Sequence, residues 1–246
     1  MEVRWESVYK KMRDIERTRI KICGLRRRED IEIINEVLPD YCGFVIEVKK
    51  SSRNVSAEQV RMLVKNLDKR VIPVGVFVNA PPELPAQLLN EGTLGMAQLH
   101  GQEDENYIKI LREMTEKPLI KAFSVKTGED IRKACQSSAD YILLDQGSGG
   151  TGKTFDWSLI QNIDRPYFLA GGLGVHNLRQ AIETLHPWAV DLSSSLETDG
   201  YKDPAKIREL MKISPIFPGE KMNGRGVEKC QKEDLVFTEA SIFRRH

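Results

Sequence analysis

The sequence predicts an α/β protein: a single (β/α)8 barrel over residues 19–213, with an N-terminal helical extension over 1–18 and a C-terminal tail over 214–246. Three observations carry this. Eight short β-rich runs alternate with amphipathic stretches across about 195 residues, the period of a closed strand–helix barrel. Most runs are continuously apolar rather than alternating, as parallel strands covered on both faces require. The early G-x-G-x-x-G turn of a doubly wound open sheet, the main alternative, is missing.

The elements follow in order. "RIKICGL" (19–25) leads into "REDIEIINEVL" (28–38), where Ile31, Ile34 and Leu38 recur at helical spacing. "YCGFVIEV" (41–48) leads into "SAEQVRMLVKNL" (56–67), where Ser56 and Gln59 fit a capping box. "IPVGVFVN" (72–79) precedes "PPELPAQLLNEG" (81–92), with prolines suited to a helix start and Gly92 to its stop. "MAQLHG" (96–101) precedes "EDENYIKILREM" (103–114), and "PLIKAFSV" (118–125) precedes "TGEDIRKACQSS" (127–138). "YILLD" (141–145) is followed by a glycine-rich loop and then "DWSLIQNI" (156–163), expected as a helix capped by Asp156. "YFLAGGL" (167–173) precedes "GVHNLRQAIETL" (174–185), and "AVDLSSS" (189–195) precedes "DPAKIRELMK" (203–212). In residues 1–18, Trp5, Val8, Met12 and Ile15 share one helical stripe, suited to packing against the barrel.

Composition narrows the function. The 246 residues are 40% apolar and 30% charged, with net charge +1, which favours neither nucleic acid nor a membrane surface. The run Arg26-Arg27-Arg28 reads as a helix start and solvated loop. Apolar runs such as "VIPVGVFV" (71–78) are far shorter than the ~20 residues that span a bilayer. Cys23, Cys42, Cys135 and Cys230 form no C-x-x-C pair, and no secretory signal is evident, so a reducing cytoplasm is the expected setting.

In such barrels the chemistry sits where strands end. Strand one ends at Cys23-Gly24, strand four at Gln98 and His100, strand six at Asp145, strand seven at Gly171-Gly172, and strand eight at Asp191 with Ser193, Ser194 and Ser195. Gln98 and His100 are assigned to substrate contact. Glycine turns and a helix N-terminus after strands seven and eight offer backbone N–H groups to a phosphate dianion, so Gly171, Gly172, Ser194 and Ser195 are assigned to phosphate; a plain tight turn is the alternative. Cys23 and Asp145 form an acid–base pair if both face one pocket. Against this, a lone strand cysteine is more often a small core residue, and a strand-closing aspartate is often a helix cap. Lys21, two residues before Cys23, points to the same face, and its charge would raise the thiolate fraction. Asp145 must be protonated to act as an acid, which asks for partial burial or a negative neighbour. "GSGGTGKT" (147–154) satisfies the P-loop pattern, but Phe155 and Asp156 follow, so the helix starts too late to cradle phosphates. It reads instead as a glycine-rich βα loop closing over Asp145.

"KICGLRRRED" (21–30), "SSRNVS" (51–56), "VGVFVN" (74–79), "AQLHGQE" (97–103), "KAFSV" (121–125), "LLDQGSGGTGKTFDWSLI" (143–160), "LAGGLGVHN" (169–177) and "VDLSSSLETDGYKD" (190–203) occur in that order. Together they resemble the phosphoribosylanthranilate isomerase family of tryptophan biosynthesis. The resemblance implies an Amadori rearrangement of N-(5'-phosphoribosyl)anthranilate, with Cys23 as general base, Asp145 as general acid and Arg53 on the anthranilate carboxylate, which its fork suits. It implies no metal or organic cofactor and a small phosphosugar as substrate; apart from the resemblance, a monomer with no nucleic-acid or membrane partner is expected. Two departures stand out. Ser195 occupies a position that is often glycine in the family, and "EVKKSSR" lacks the proline common before the arginine. A histidine-pathway isomerase would need aspartate in place of Cys23, a pentulose-phosphate epimerase would need metal-binding His and Asp at several strand ends, and a purely binding barrel would need neither Cys23 nor Asp145.

Overall fold

Eight parallel strands pair each with the next around a closed ring in a computed structural model that describes residues 17–145, 157–160 and 163–213. The strands are β1 (Arg19–Cys23), β2 (Tyr41–Ile46), β3 (Ile72–Phe77), β4 (Met96–Leu99), β5 (Leu119–Ser124), β6 (Tyr141–Asp145), β7 (Tyr167–Leu169) and β8 (Ala189–Leu192). The ring closes where β8 lies beside β1, from Arg19 opposite Ala189 to Ile22 opposite Leu192. The helices are α1 (Arg28–Val37), α2 (Ala57–Val64), α3 (Glu83–Asn90), α4 (Glu105–Met114), α5 (Gly128–Cys135), α6 (Leu178–Leu185) and α7 (Pro204–Ile213). The expected terminal helix and tail, and the loop at 147–154, lie outside the described residues. After β6 the expected helix is replaced, among the described residues, by one 3-10 turn at Trp157–Leu159.

The local signals act as expected. Ser56 Oγ accepts from the Gln59 N–H at 3.1 Å and Gln59 Oε1 accepts from the Ser56 N–H at 2.8 Å, so the capping box forms. Alternate strand residues then separate two cores. Tyr41, Ile72, Val74, Met96, Ile120, Leu143, Phe168 and Ala189 fill the barrel interior. Ile20, Ile22, Phe44, Ile46, Leu99 and Leu144 face outward into the helix layer, as does Cys42, which is structural as expected. Each such fully buried side chain contributes about 1.5–3 kcal/mol by leaving water.

Most strands are shorter than their apolar runs at the C-terminal end. The chain turns there through left-handed backbone: Gly24 (φ 90°) after β1, Glu47 (φ 55°) after β2, Asn79 (φ 54°) just past β3, and Gly171 (φ 89°) just past β7. Left-handed residues break the ladder, so the apolar residues beyond them line loops at one end of the barrel. The opposite end is closed by aromatic rings: Tyr41 and Tyr141 lie 5.3 and 5.8 Å from Phe168, and the Arg19 guanidinium lies 3.4 Å from the Trp188 ring centre.

Candidate active site

The loops at the C-terminal ends surround a cavity of about 340 Å³. Every residue singled out from the sequence lines it: Cys23 from β1, Arg53 after β2, Gln98 and His100 from β4, Asp145 from β6, Gly171 and Gly172 after β7, and Ser194 and Ser195 after β8. Cys23 is buried, at 8% exposure, and lines this cavity.

Cys23 sits above a buried ion pair. Lys21 Nζ, fully buried, donates to both Asp191 carboxylate oxygens at 3.0 and 2.9 Å. Burial works against the ammonium, but Asp191 and Cys23 outweigh it and hold Lys21 charged. The thiol answers differently. Burial pushes Cys23 up, Lys21 draws it back down, and Asp191 pushes it up again; the net displacement is above the ordinary thiol range. The lysine acts in the expected sense, but desolvation is the larger effect. Space for the sulfur comes from β2: a Cβ on Gly43 would lie 2.6 Å from Cys23 Sγ.

Across the cavity, Asp145 is 18% exposed, with His100 Nε2 3.6 Å from its Oδ2, too long for a hydrogen bond. His100 Nδ1 lies 2.8 Å from Gln98 Nε2. The Gln98 amide N–H donates to that ring nitrogen, which leaves Nε2 facing Asp145. Among the described residues, buried Gln98 Oε1 has no hydrogen-bond partner. The turn carrying His100 is fixed from beneath by Glu103, which accepts from the N–H groups of Asn79 (2.6 Å) and Gly101 (2.7 Å) and from Lys121 Nζ (3.1 Å).

Arg53 lines the cavity as expected and also has an ion-pair partner that the sequence did not announce. Its Nε and Nη2 donate to the two Glu197 carboxylate oxygens at 2.7 and 2.6 Å, so the guanidinium has a partner within the chain. Lys202 Nζ, nearly fully buried, also donates to Glu197 (2.7 Å) and to the Ser193 carbonyl (3.0 Å). Arg26 is likewise more than a solvated cation. It donates to the carbonyls of Ser52 (2.5 Å) and Gly200 (2.6 Å) and lies 4.2 Å from the Tyr201 ring centre, bracing the loops after β2 and β8.

The glycine and serine turns lie side by side. Gly171 and Gly172 are both left-handed (φ 89° and 65°), a path closed to most side chains. Ser194 and Ser195 begin a 3-10 turn that ends at Leu196. Ser195 has no left-handed backbone, so the glycine often found at this position is not required for its conformation.

Sequence reasoning missed Glu197 and Lys202, and it gave Asp191 no role. Asp191 had a signal: a lysine inside an apolar strand demands a buried counter-charge, and Asp191 is its register partner on β8. Glu197 and Lys202 had none, because a two-residue hairpin pairing brings them in.

Comparisons with known proteins give the family. The family model for N-(5'-phosphoribosyl)anthranilate (PRA) isomerase matches residues 20–213. The N-(5'-phosphoribosyl)anthranilate isomerase of Endomicrobium trichonymphae is 44% identical over 200 residues, 79% of this chain and 97% of that protein. The phosphoribosyl anthranilate isomerase structure from Thermotoga maritima aligns with a TM-score of 0.71 at 36% identity, covering 80% of this chain and 98% of that one. A phosphoribosyl anthranilate isomerase in complex with reduced 1-(o-carboxyphenylamino)-1-deoxyribulose 5-phosphate aligns with a TM-score of 0.69 at 35% identity, covering 79% and 97%. With a match spanning the whole barrel and relatives covered almost end to end, the chain belongs to the N-(5'-phosphoribosyl)anthranilate isomerase family.

Proposed function

We propose that this chain converts N-(5'-phosphoribosyl)anthranilate to 1-(2-carboxyphenylamino)-1-deoxyribulose 5-phosphate in tryptophan biosynthesis, with Asp145 as general acid and Cys23 as general base. The observation that carries the role assignment is that Cys23 and Asp145, on β1 and β6, line one cavity between the glycine–serine turns and Arg53. Asp145 gives its proton to the ribofuranose ring oxygen, the bond from that oxygen to C1 breaks, and a Schiff base forms. The Cys23 thiolate then takes the proton from C2. The resulting enolamine tautomerises to the ketone, and no metal or organic cofactor enters the scheme.

The other residues divide by chemistry. Backbone N–H groups of the Gly171-Gly172 turn and of Ser194 and Ser195 hold the phosphate dianion. The unpartnered Gln98 Oε1 suits a ribose hydroxyl donor, since a buried acceptor left empty costs about 1–3 kcal/mol. His100 faces the acid, and Arg53 binds the anthranilate carboxylate. Lys21 balances the thiolate charge once the proton has left. We further assign a cytoplasmic monomer whose 19–213 barrel is the catalytic domain, with 1–18 and 214–246 as appendages. Sedimentation equilibrium at the monomer mass and a protease-resistant 19–213 core are the expected results. The relative from Thermotoga maritima is dimeric.

The test is direct. Pure protein is mixed with freshly made N-(5'-phosphoribosyl)anthranilate and the loss of anthranilate-type fluorescence is followed. Turnover well above spontaneous breakdown is expected; a rate equal to that background would overturn the reading.

A further inference from the structure

Arg53 meets a carboxylate before any substrate arrives, and the way it does so matters. The Glu197 pair is side-on: it uses Nε–H and one Nη2–H. A guanidinium carries five N–H donors in a planar fork. The side-on pair therefore leaves the Nη1–Nη2 edge, a second bidentate face, and Arg53 Nη1 has no hydrogen-bond partner among the described residues. The stem is held as well. Arg53 Cδ lies 2.5 Å from where a Cβ on Gly24 would stand, so the chain of the arginine runs directly over that glycine. The charges point the same way. Lys202 Nζ is 2.7 Å from Glu197 Oε1, so Arg53, Lys202 and Glu197 together keep one net positive charge beside the cavity. Glu197 is 9% exposed, so it is a fixed part of the wall rather than a mobile surface carboxylate.

We propose that Glu197 is a positioning residue for the substrate's aryl carboxylate: it locks Arg53 side-on, with Lys202 neutralising it, so that the remaining guanidinium edge receives that carboxylate end-on. The proposal rests on the reading that Arg53 binds the anthranilate carboxylate. It makes Glu197 an aligning partner and not a competitor, because a competitor without Lys202 would cancel the charge the substrate needs. Locking a rotamer-rich arginine before binding removes an ordering cost from the binding step.

The experiment measures binding of reduced 1-(o-carboxyphenylamino)-1-deoxyribulose 5-phosphate and of its phenylamino counterpart without the ring carboxylate, by calorimetry. The native protein should prefer the carboxylate ligand by roughly 10–100-fold, the range of a charge-assisted bidentate pair. Glu197→Gln should cut that preference about tenfold while changing affinity for the carboxyl-free ligand less than about twofold. Arg53→Ala should abolish the preference, and Glu197→Gln should add nothing in the Arg53→Ala background. Preference retained in Arg53→Ala would overturn the reading of Arg53 and the proposal with it. Preference lost in Arg53→Ala but retained or enlarged in Glu197→Gln would overturn the proposal alone. Equal weakening of both ligands by Glu197→Gln would also overturn it, assigning Glu197 to the frame of the cavity.

Discussion

A base made from a buried thiol works against its own desolvation. Burial raises Cys23 above the ordinary thiol range even with Lys21 two residues below it. Only the thiolate can take the C2 proton, so the active fraction grows as pH rises toward that elevated value. The rate of Cys23 alkylation by iodoacetamide, which reads the thiolate alone, should therefore still climb between pH 7 and pH 8.5; a rate already level by pH 7 would contradict this ionisation. The cavity-lining residues were legible in the sequence because a barrel places chemistry at strand ends, and Cys23, Gln98, His100 and Asp145 stand there. The charge support was only partly legible. Lys21 and Asp191 face each other through strand register, which an inward lysine announces. Glu197 and Lys202 meet through a hairpin with no periodic pattern, so the Glu197 partner of Arg53 could not be read from the sequence.

At the scale of single elements, two strands carry features whose removal gives separate signals. On β2, Gly43 leaves room for the thiol. Gly43→Ala would set a methyl 2.6 Å from Cys23 Sγ and 3.1 Å from Cys23 Cα, and one of those atoms is backbone. We expect a loss of about 1–3 kcal/mol in urea unfolding from overpacking, with a fall in kcat as the sulfur is displaced. Between β3, β4 and β5, Glu103 gathers two backbone N–H groups and buried Lys121. Glu103→Ala leaves that lysine without its carboxylate, so unfolding free energy should fall by about 3–5 kcal/mol. A change under 1 kcal/mol would mean that the Leu99 and Gly101 carbonyls suffice for Lys121. The "QLHGQE" segment thus carries both a site residue, His100, and the carboxylate that fixes its turn. The sequence marked the first by its strand-end place, while the second lies in a loop and gave no such mark.

At the scale of the whole molecule, the barrel separates stability from chemistry along its axis. Aromatic rings and Arg19 close one end, and the charged residues gather at the other. The eight-strand closure was legible because each apolar run is long enough to show its character. The strand ends were not, because left-handed turns at Glu47 and Asn79 occur at residues that carry no glycine signal. The two-residue strand Asn54–Val55 and the hairpin at 197–202 are too short for any period. This arrangement lets the central claim be tested without dismantling the fold, since Cys23 and Asp145 lie at the cavity end. The most direct measurement is kcat for N-(5'-phosphoribosyl)anthranilate in Cys23→Ser and Asp145→Asn beside the native chain. Each variant should lose on the order of 10²–10⁴ in kcat, the usual contribution of a general base or acid. Full kcat in both variants would contradict the assignment of the two residues as base and acid.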